Sequence, residues 1–315
     1  MRTGQNPAKS VSTVEKPQRI TVAVLNYIPF QSGYYADMLD VLKTCLGSIW
    51  ANSDLPYDLM VFDNGSCSEV KQYLVSQLEE GRIQYLILSE KNLGKGGAWN
   101  IMLDGAPGEI IAYSDNDCYF YPGWLSHSLE VLEKFPRVGM VTSRPIWTNE
   151  DFSSATVEWA KSAQGAEFSR GRYLDWDTFS SFTMSLGHNE EETRKLYESH
   201  EDLRVTYQGT TAHIGALHYQ FVTRKDVIKQ FLPFEMDRPM GQVKQLDIRM
   251  NQAGYLRLTT AEPYMQNMSN HVPDFAAPAI EKPAKKGFAK QLREIRPLKW
   301  VLMRLYDWIF KLYYE

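Results

Sequence analysis

Cysteine and long apolar runs are scarce in this sequence of 315 residues. Its three cysteines, Cys45, Cys67 and Cys118, match no metal-binding spacing, so we expect no disulfide framework and a reducing, cytoplasmic compartment. No stretch approaches the roughly 18 uncharged apolar residues of a membrane-spanning helix, so none is expected. Residues 1–18 are polar and lack an apolar stretch, which indicates a disordered lead-in rather than a secretory signal.

Positive charge is scarce in the body of the chain and concentrated at its carboxyl end. Residues 282–315 contain nine Lys or Arg and three acidic residues, or +6, whereas the whole chain carries −4 and residues 1–281 therefore carry −10. The acidic body argues against nucleic acid as a partner. From Pro297 the sequence predicts a helix with a broad apolar and aromatic face and basic residues opposite, which favours binding to an anionic membrane surface. The alternative is a helix packed on its own chain or on another subunit of a homo-oligomer.

Short apolar runs alternate with helix-length segments in the first half of the chain. The β-rich runs occupy residues 20–26, 58–62 and 83–88, and a fourth begins at Ile110. Residues 36–52, 68–80 and 95–105 show helical spacing. This alternation predicts right-handed βαβ units and an α/β fold with a doubly wound, mostly parallel sheet. With 43% hydrophobic residues, the chain can bury a large core.

Polar or glycine-rich residues follow each of these runs, at the edge where open α/β sheets bind ligands. Asp115 and Asp117 follow the run that begins at Ile110. Paired carboxylates of this kind hold Mg²⁺ or Mn²⁺ together with the phosphates of a substrate. The alternative, from these residues alone, is a turn that ends the strand, because Asp and Asn side chains form such turns.

Taken together, these stretches resemble the amino-terminal half of family-2-type glycosyltransferases with the GT-A fold. The resemblance rests on ITVAVLNY from Ile20, VFDNGS from Val61, NLG from Asn92 with AWN from Ala98, GEIIAYSDND from Gly108, and PGWL from Pro122. It implies a nucleotide-sugar-binding half at residues 19–144 and an acceptor-binding half of the same domain at residues 145–272. A basic amphipathic helical extension would follow at residues 273–315.

The resemblance also implies roles for individual residues. Those that would bind the nucleotide-sugar donor are Asn26, Tyr27, Asp63, Asn92, Gly94, Lys95, Gly96, Asp115 and Asn116. Asp117 would be the principal ligand of Mn²⁺ or Mg²⁺, assisted by Asp115 and His271, and the cation would stabilise charge on the leaving diphosphate. The structural alternatives are a turn at Asp63, a solvated Lys95 and an ordinary loop histidine at His271.

The catalytic base is where this sequence departs from the family pattern. Inverting members carry an acidic pair before an Arg and a Gly that correspond here to Arg249 and Gly254, and counting back places Gln242, followed by a valine, at that pair. Asp247 is the nearest carboxylate and our candidate base, with an exposed residue beside Arg249 as its alternative. His213 and His218 are further candidates for orienting a sugar hydroxyl, and the stereochemical outcome stays open.

The resemblance therefore implies a hexosyltransferase-type enzyme that uses a UDP-sugar and a divalent cation. Its acceptor would be a sugar or a lipid-linked sugar, near the inner face of a membrane. One alternative is a nucleotidyltransferase, which should carry a basic, glycine-rich phosphate loop after the first strand, where Asn26, Tyr27 and Ile28 stand. The other is an inactive scaffold, which the missing acidic pair favours.

Overall fold

The computed structural model describes residues 4–147, 150–185, 187–235 and 243–274. Gln242 and residues 282–315, with the predictions made for them, lie outside the described residues. Ahead of the first strand, residues 4–18 are exposed and include one short 3-10 helix, Pro7–Ser10.

Within the described residues, ten strands form one sheet and two more form a small separate pair. In chain order the strands are β1 (Ile20–Asn26), β2 (Asp58–Asp63), β3 (Tyr85–Leu88), β4 (Ile110–Asp115), β5 (Cys118–Phe120), β6 (Val138–Thr142), β7 (Ala166–Gly171), β8 (Asp202–Tyr207), β9 (Thr210–Ile214), β10 (Gln220–Arg224), β11 (Leu256–Thr260) and β12 (Met265–Asn267). The large sheet has the order β3-β2-β1-β4-β10-β6-β11-β9-β8-β7, and β12 pairs with β5.

The centre of the large sheet is mostly parallel. Strands β3, β2, β1 and β4 run in one direction, and β6 and β11 run the same way because β10 is antiparallel to both β4 and β6. The far edge, formed by β9, β8 and β7, is antiparallel. The predicted α/β class and mostly parallel central sheet are therefore confirmed, with one reversed strand inserted beside β4.

Helices cover both faces of this sheet. They are α1 (Met38–Asn52), α2 (Ser68–Glu79), α3 (Gly94–Gly105), α4 (Trp124–Lys134), α5 (Ser154–Ser162), α6 (Trp176–Ser185), α7 (Glu190–Ser199), α8 (Lys225–Ile228) and α9 (Lys244–Gln252). None of the helices in the described part of the chain has the length and apolar character needed to cross a bilayer.

The core is divided into two layers because side chains alternate across each strand. On β1, Val22 and Val24 face the layer that includes α1, α2 and α4, whereas Ala23 and Leu25 face the layer that includes α3 and α9. Burial on both faces explains why β1 reads as a continuous apolar run. It also means that polar side chains at the strand ends mark the edge of the sheet where the core stops.

Candidate active site

The carboxyl ends of β1, β2 and β4 meet at one edge of the sheet. In the parallel registers, Asn26 lies opposite Asp63, and Leu25 lies opposite Asp115. The strand-end residues picked out from the sequence are therefore neighbours in space, as the alternating strands and helices predict.

Asp115 is held by a buried cation and a buried phenol. The Nζ atom of Lys95 lies 2.7 Å from Oδ2 of Asp115, and the hydroxyl of Tyr113 donates a hydrogen bond to Oδ1. Lys95 is only 8% exposed and stands over the rings of Trp99 and Tyr113. Burial and the charge of Asp115 raise the pKa of Tyr113 well above its ordinary value, so the phenol stays protonated and donates a hydrogen bond.

Asp117 is the second carboxylate of the site and is only partly buried. Burial, and then repulsion from Asp115, raises the pKa of Asp117 to about 6, although a hydrogen bond from Asn267 and the charge of Lys95 act in the opposite direction. The amide of Met268 donates to the Asp117 carbonyl over 2.7 Å. The β5–β12 pair thus fixes the loop that carries Asp117.

A buried hydrogen-bond network connects the ends of β1 and β2 to this loop. The Nδ2 atom of Asn26 donates to Asp63 over 2.7 Å and to the hydroxyl of Ser66 over 3.0 Å, while Oδ1 of Asn26 accepts from Asn116 over 2.7 Å. The other oxygen of Asp63 accepts from the amide of Ser66. Asp63 is fully buried, so in this structure both of its oxygens serve the protein, and its contact with a nucleotide stays a prediction.

The glycine-rich loop before α3 is fixed by asparagine side chains. Oδ1 of Asn92 accepts from the amide of Gly94 over 2.8 Å and from the side chain of Asn64 over 3.0 Å. Gly94 has φ +67°, a conformation that favours glycine. Gly96 lies against the chain at Glu235, where a Cβ atom would come within 3.0 Å of a backbone carbonyl oxygen. Close packing of the protein, and not only approach to a donor, therefore favours glycine at position 96.

Tyr27 follows this network at the start of an aromatic group. Its ring makes an edge contact with Tyr35, which also contacts the exposed rings of Phe30 and Tyr34. These rings belong to the segment that follows β1 in the chain. The predicted donor contact of Tyr27 stays a prediction.

Two of the three predicted metal ligands are brought together. Across the described residues, no three His, Cys, Asp or Glu side chains are grouped so as to hold a metal ion, and His271 is exposed near the end of the described chain. The structure therefore does not assemble Asp115, Asp117 and His271 into one ligand set. The repelling carboxylates of Asp115 and Asp117 nevertheless fit a hard divalent cation whose other ligands come from phosphate and water.

Asp247 is neither exposed nor paired with Arg249, contrary to the alternative drawn from the sequence. It lies on α9 with its side chain 8% exposed, and its Oδ1 accepts from Arg257 over 2.6 Å. Its Oδ2 lies 2.8 Å from Nδ1 of His218. Arg249 instead donates to the carbonyl of Phe231. Because both oxygens of Asp247 are engaged inside the protein, its direct action as a base is disfavoured.

The partners of these side chains come from distant parts of the chain. Ser66 lies just after β2, where the sequence Asp63-Asn64-Gly65 predicts a turn. Asn267 has no comparable local signal, because it ends a strand of only three residues. Arg257 has none either, because nothing in its own strand, β11, indicates which side chain it contacts.

Comparison with known relatives gives partial matches. An uncharacterized glycosyltransferase of Nostoc sp. is 26% identical over 128 residues, which are 41% of this chain and 38% of that protein. The succinoglycan biosynthesis protein ExoW of Rhizobium meliloti is 26% identical over 104 residues, which are 32% of this chain and 33% of that protein. The chain therefore spans well under half the length of these curated relatives.

A solved structure and a family model cover more of the chain. The crystal structure of GalNAc-T7 with UDP, GalNAc and Mn²⁺ matches with a TM-score of 0.50 and 11% identity, over 82% of this chain and 46% of that chain. At this identity the likeness shows the fold alone, which is the GT-A fold. The model of glycosyl transferase family 2 matches residues 34–198, more than half of the chain. The chain belongs to glycosyl transferase family 2.

Proposed function

We propose that this protein is a metal-dependent glycosyltransferase that moves a hexosyl group from a nucleoside diphosphate donor to an acceptor hydroxyl. The observation that carries the proposal is the carboxylate pair at the end of β4, where burial, and then repulsion from Asp115, raises the pKa of Asp117 to about 6. Such a pair gains stability from a divalent cation, and a donor diphosphate supplies further oxygen ligands. Membership of the family supports the same activity.

The residues around the pair have distinct tasks in this proposal. Asp117, with Asp115, would hold Mn²⁺ or Mg²⁺, and the bound cation would stabilise the negative charge that develops on the departing diphosphate. Lys95 places a second positive charge within 2.7 Å of Asp115, at the same edge of the sheet. The network from Asn26 to Asn116 holds the loop between the two carboxylates in place.

The proposed donor is a UDP-sugar, and the proposed acceptor is a sugar or a lipid-linked sugar. UDP, GalNAc and Mn²⁺ are named with the solved structure of GalNAc-T7, and ExoW is named for the biosynthesis of a polysaccharide. A nucleotidyltransferase is not favoured, for two reasons. The family that matches is a glycosyltransferase family, and the residues after β1 do not form a basic, glycine-rich phosphate loop.

Release of nucleoside diphosphate from a donor panel tests the proposal, with water in the place of the unknown acceptor. The panel contains UDP-glucose, UDP-galactose, UDP-GlcNAc, UDP-GalNAc and GDP-mannose, each with Mn²⁺, with Mg²⁺ or with EDTA. We expect one UDP-sugar to be hydrolysed with metal and not with EDTA. Binding of a donor without release would favour the inactive scaffold, and release of pyrophosphate from UTP with a sugar phosphate would favour a nucleotidyltransferase.

A further inference from the structure

His218 is joined to a buried ion pair through one of its two ring nitrogens. Its Nδ1 lies 2.8 Å from Oδ2 of Asp247, and Oδ1 of Asp247 accepts from Arg257 over 2.6 Å. The side chains of Asp247 and Arg257 are 8% and 2% exposed, whereas that of His218 is 31% exposed. The imidazole is therefore the one group of the three that solvent or a substrate can reach.

The backbone around His218 is tied to the edge of the sheet that carries the carboxylate pair. The amide of Asp115 donates to the carbonyl of Tyr219 over 2.8 Å. The amide of Leu217 donates to the hydroxyl of Thr142, at the end of β6, over 2.8 Å. His218 lies between these two contacts, and the residue after it, Tyr219, is hydrogen-bonded to the backbone of Asp115.

The hydrogen bonds select the tautomer of His218. Arginine stays protonated in proteins, and the adjacent Arg257 therefore favours the ionised carboxylate of Asp247. A carboxylate only accepts hydrogen bonds, so Nδ1 of His218 is the donor and carries the proton. Nε2 then has a lone pair, and within the described residues no other contact engages it.

We infer that His218 is the general base of the transfer and that Asp247 is its positioning residue, an inference that rests on the function proposed above. The acceptor oxygen forms a bond to the anomeric carbon as the bond from that carbon to the diphosphate oxygen breaks, and the nucleoside diphosphate leaves with the electron pair. The acceptor proton moves to Nε2 of His218. The resulting imidazolium is stabilised by the carboxylate of Asp247, which stays ionised.

This assignment explains how the chain can act without the acidic pair that the family places at Gln242. Asp247 cannot take the proton at comparable cost, because protonation would leave the buried guanidinium of Arg257 without its negative partner. Histidine is suited to the task because its proton equilibrium lies near neutrality in general. The charged residues linked by hydrogen bonds to residues 217–219 are Asp247, with its partner Arg257, and Asp115, whose amide donates to the carbonyl of Tyr219.

The variant that tests the inference is His218→Asn, whose amide nitrogen can still donate to Asp247 but cannot accept a proton. Hydrolysis of the UDP-sugar that the wild type cleaves best gives kcat and KM, and titration with UDP and Mn²⁺ gives the affinity for the nucleotide. We expect kcat to fall about 10²- to 10⁴-fold while UDP affinity stays unchanged. The acidic limb of the wild-type pH profile of kcat/KM should also become shallower, and the part that remains should belong to Asp117.

A second variant separates a lost base from a lost fold. In His218→Ala, the partly exposed position leaves room for imidazole added to the buffer, which should restore turnover in a saturable way. The matched control is His188→Gln, because His188 is exposed near the start of α7 and lies in no part of the site. It should leave kcat and the pH profile as in the wild type.

The outcomes separate this inference from the function on which it rests. Wild-type turnover in His218→Asn, or loss of UDP affinity in proportion to activity, would overturn the role of His218 and leave the glycosyltransferase proposal standing. Absence of imidazole rescue in a folded, UDP-binding His218→Ala variant would do the same. If the wild type hydrolyses no donor of the panel, the proposed function fails, and the assignment of His218 fails with it.

Discussion

The ammonium group of Lys95 lies 2.7 Å from Oδ2 of Asp115. Lys95 is in the first turn of α3 and is almost fully buried. A positive charge is thus already present at the carboxylate pair before any cation binds. Asp117 makes no ion pair among the described residues. Its negative charge is therefore less neutralised than that of Asp115. This relationship gives the two carboxylates different tasks, although they are two positions apart in the sequence.

Replacing Lys95 with Met should strengthen binding of Mn²⁺ alone. The ammonium competes electrostatically with a cation at this site, and removing one nearby charge from a partly buried site gives an expected gain of about tenfold. Titration of the nucleotide-free protein, followed by the electron paramagnetic resonance of free Mn²⁺, measures the change. Lys91→Met is the matched control, because Lys91 is exposed just before α3 and should change nothing. Weaker Mn²⁺ binding by Lys95→Met would contradict the competition.

Asp117→Asn should weaken Mn²⁺ binding more than Asp115→Asn does. Asp117→Asn removes the carboxylate that the protein does not neutralise, and we expect the affinity for Mn²⁺ to fall at least about 100-fold. Asp115 is already paired with Lys95, so its loss should cost less affinity. The same Mn²⁺ titration, repeated with UDP present, compares the two variants. Asp104→Asn, at an exposed ion pair with Lys229, provides the control. Equal losses in the two site variants would show that the carboxylates act as one unit.

Much of this arrangement could be predicted from the sequence because the determinants are local. The apolar runs before Asn26, Asp63 and Asp115 define strands, and parallel strands bring their carboxyl ends to one edge. The polar residues that follow each run therefore had to meet. For the same reason the predicted helix over residues 68–80 agrees with α2, Ser68–Glu79, to within one residue.

The side-chain partners could not be predicted because they depend on distant parts of the chain. Asp117 is contacted by Asn267 across the pairing of two three-residue strands, which have too few residues to show a periodic pattern. Asp247 is buried against Arg257 although charged side chains usually lie at the surface. Lys95 lies in a glycine-rich stretch whose composition predicts an exposed loop, yet it is in the first turn of α3 and enclosed by aromatic rings and Asp115. Tertiary contacts override local composition at each of these positions.

His213 should make the protein sensitive to mild acid. It lies on β9, it is 4% exposed, and burial lowers its pKa to about 4. Because the folded state resists protonation, this histidine's contribution to stability is present above about pH 6.5 and is lost as the pH falls through about 4, by roughly 3 kcal/mol in total.

The measurement is the free energy of unfolding in urea at several pH values from 7 down to 4. His213→Gln should show a flatter decline than the wild type, because glutamine takes up no proton in this range. His188→Gln, at an exposed position, should follow the wild-type curve. An unchanged slope in His213→Gln would show that other groups cause the sensitivity to acid.

Breaking the buried pair of Asp247 and Arg257 should cost more stability than removing both charges together. In Asp247→Asn, the guanidinium of Arg257 stays buried at 2% exposure with no negative partner, and loss of one member of such a pair costs about 3–5 kcal/mol. In the double variant Asp247→Leu/Arg257→Met, no charge is left unpaired, and apolar replacements of a buried pair are often near neutral. Urea unfolding of the two variants and the wild type gives the comparison. Because the double variant removes the carboxylate that orients His218, it should recover stability while its donor hydrolysis stays low. Recovery of both stability and activity would show that the pair serves the fold alone.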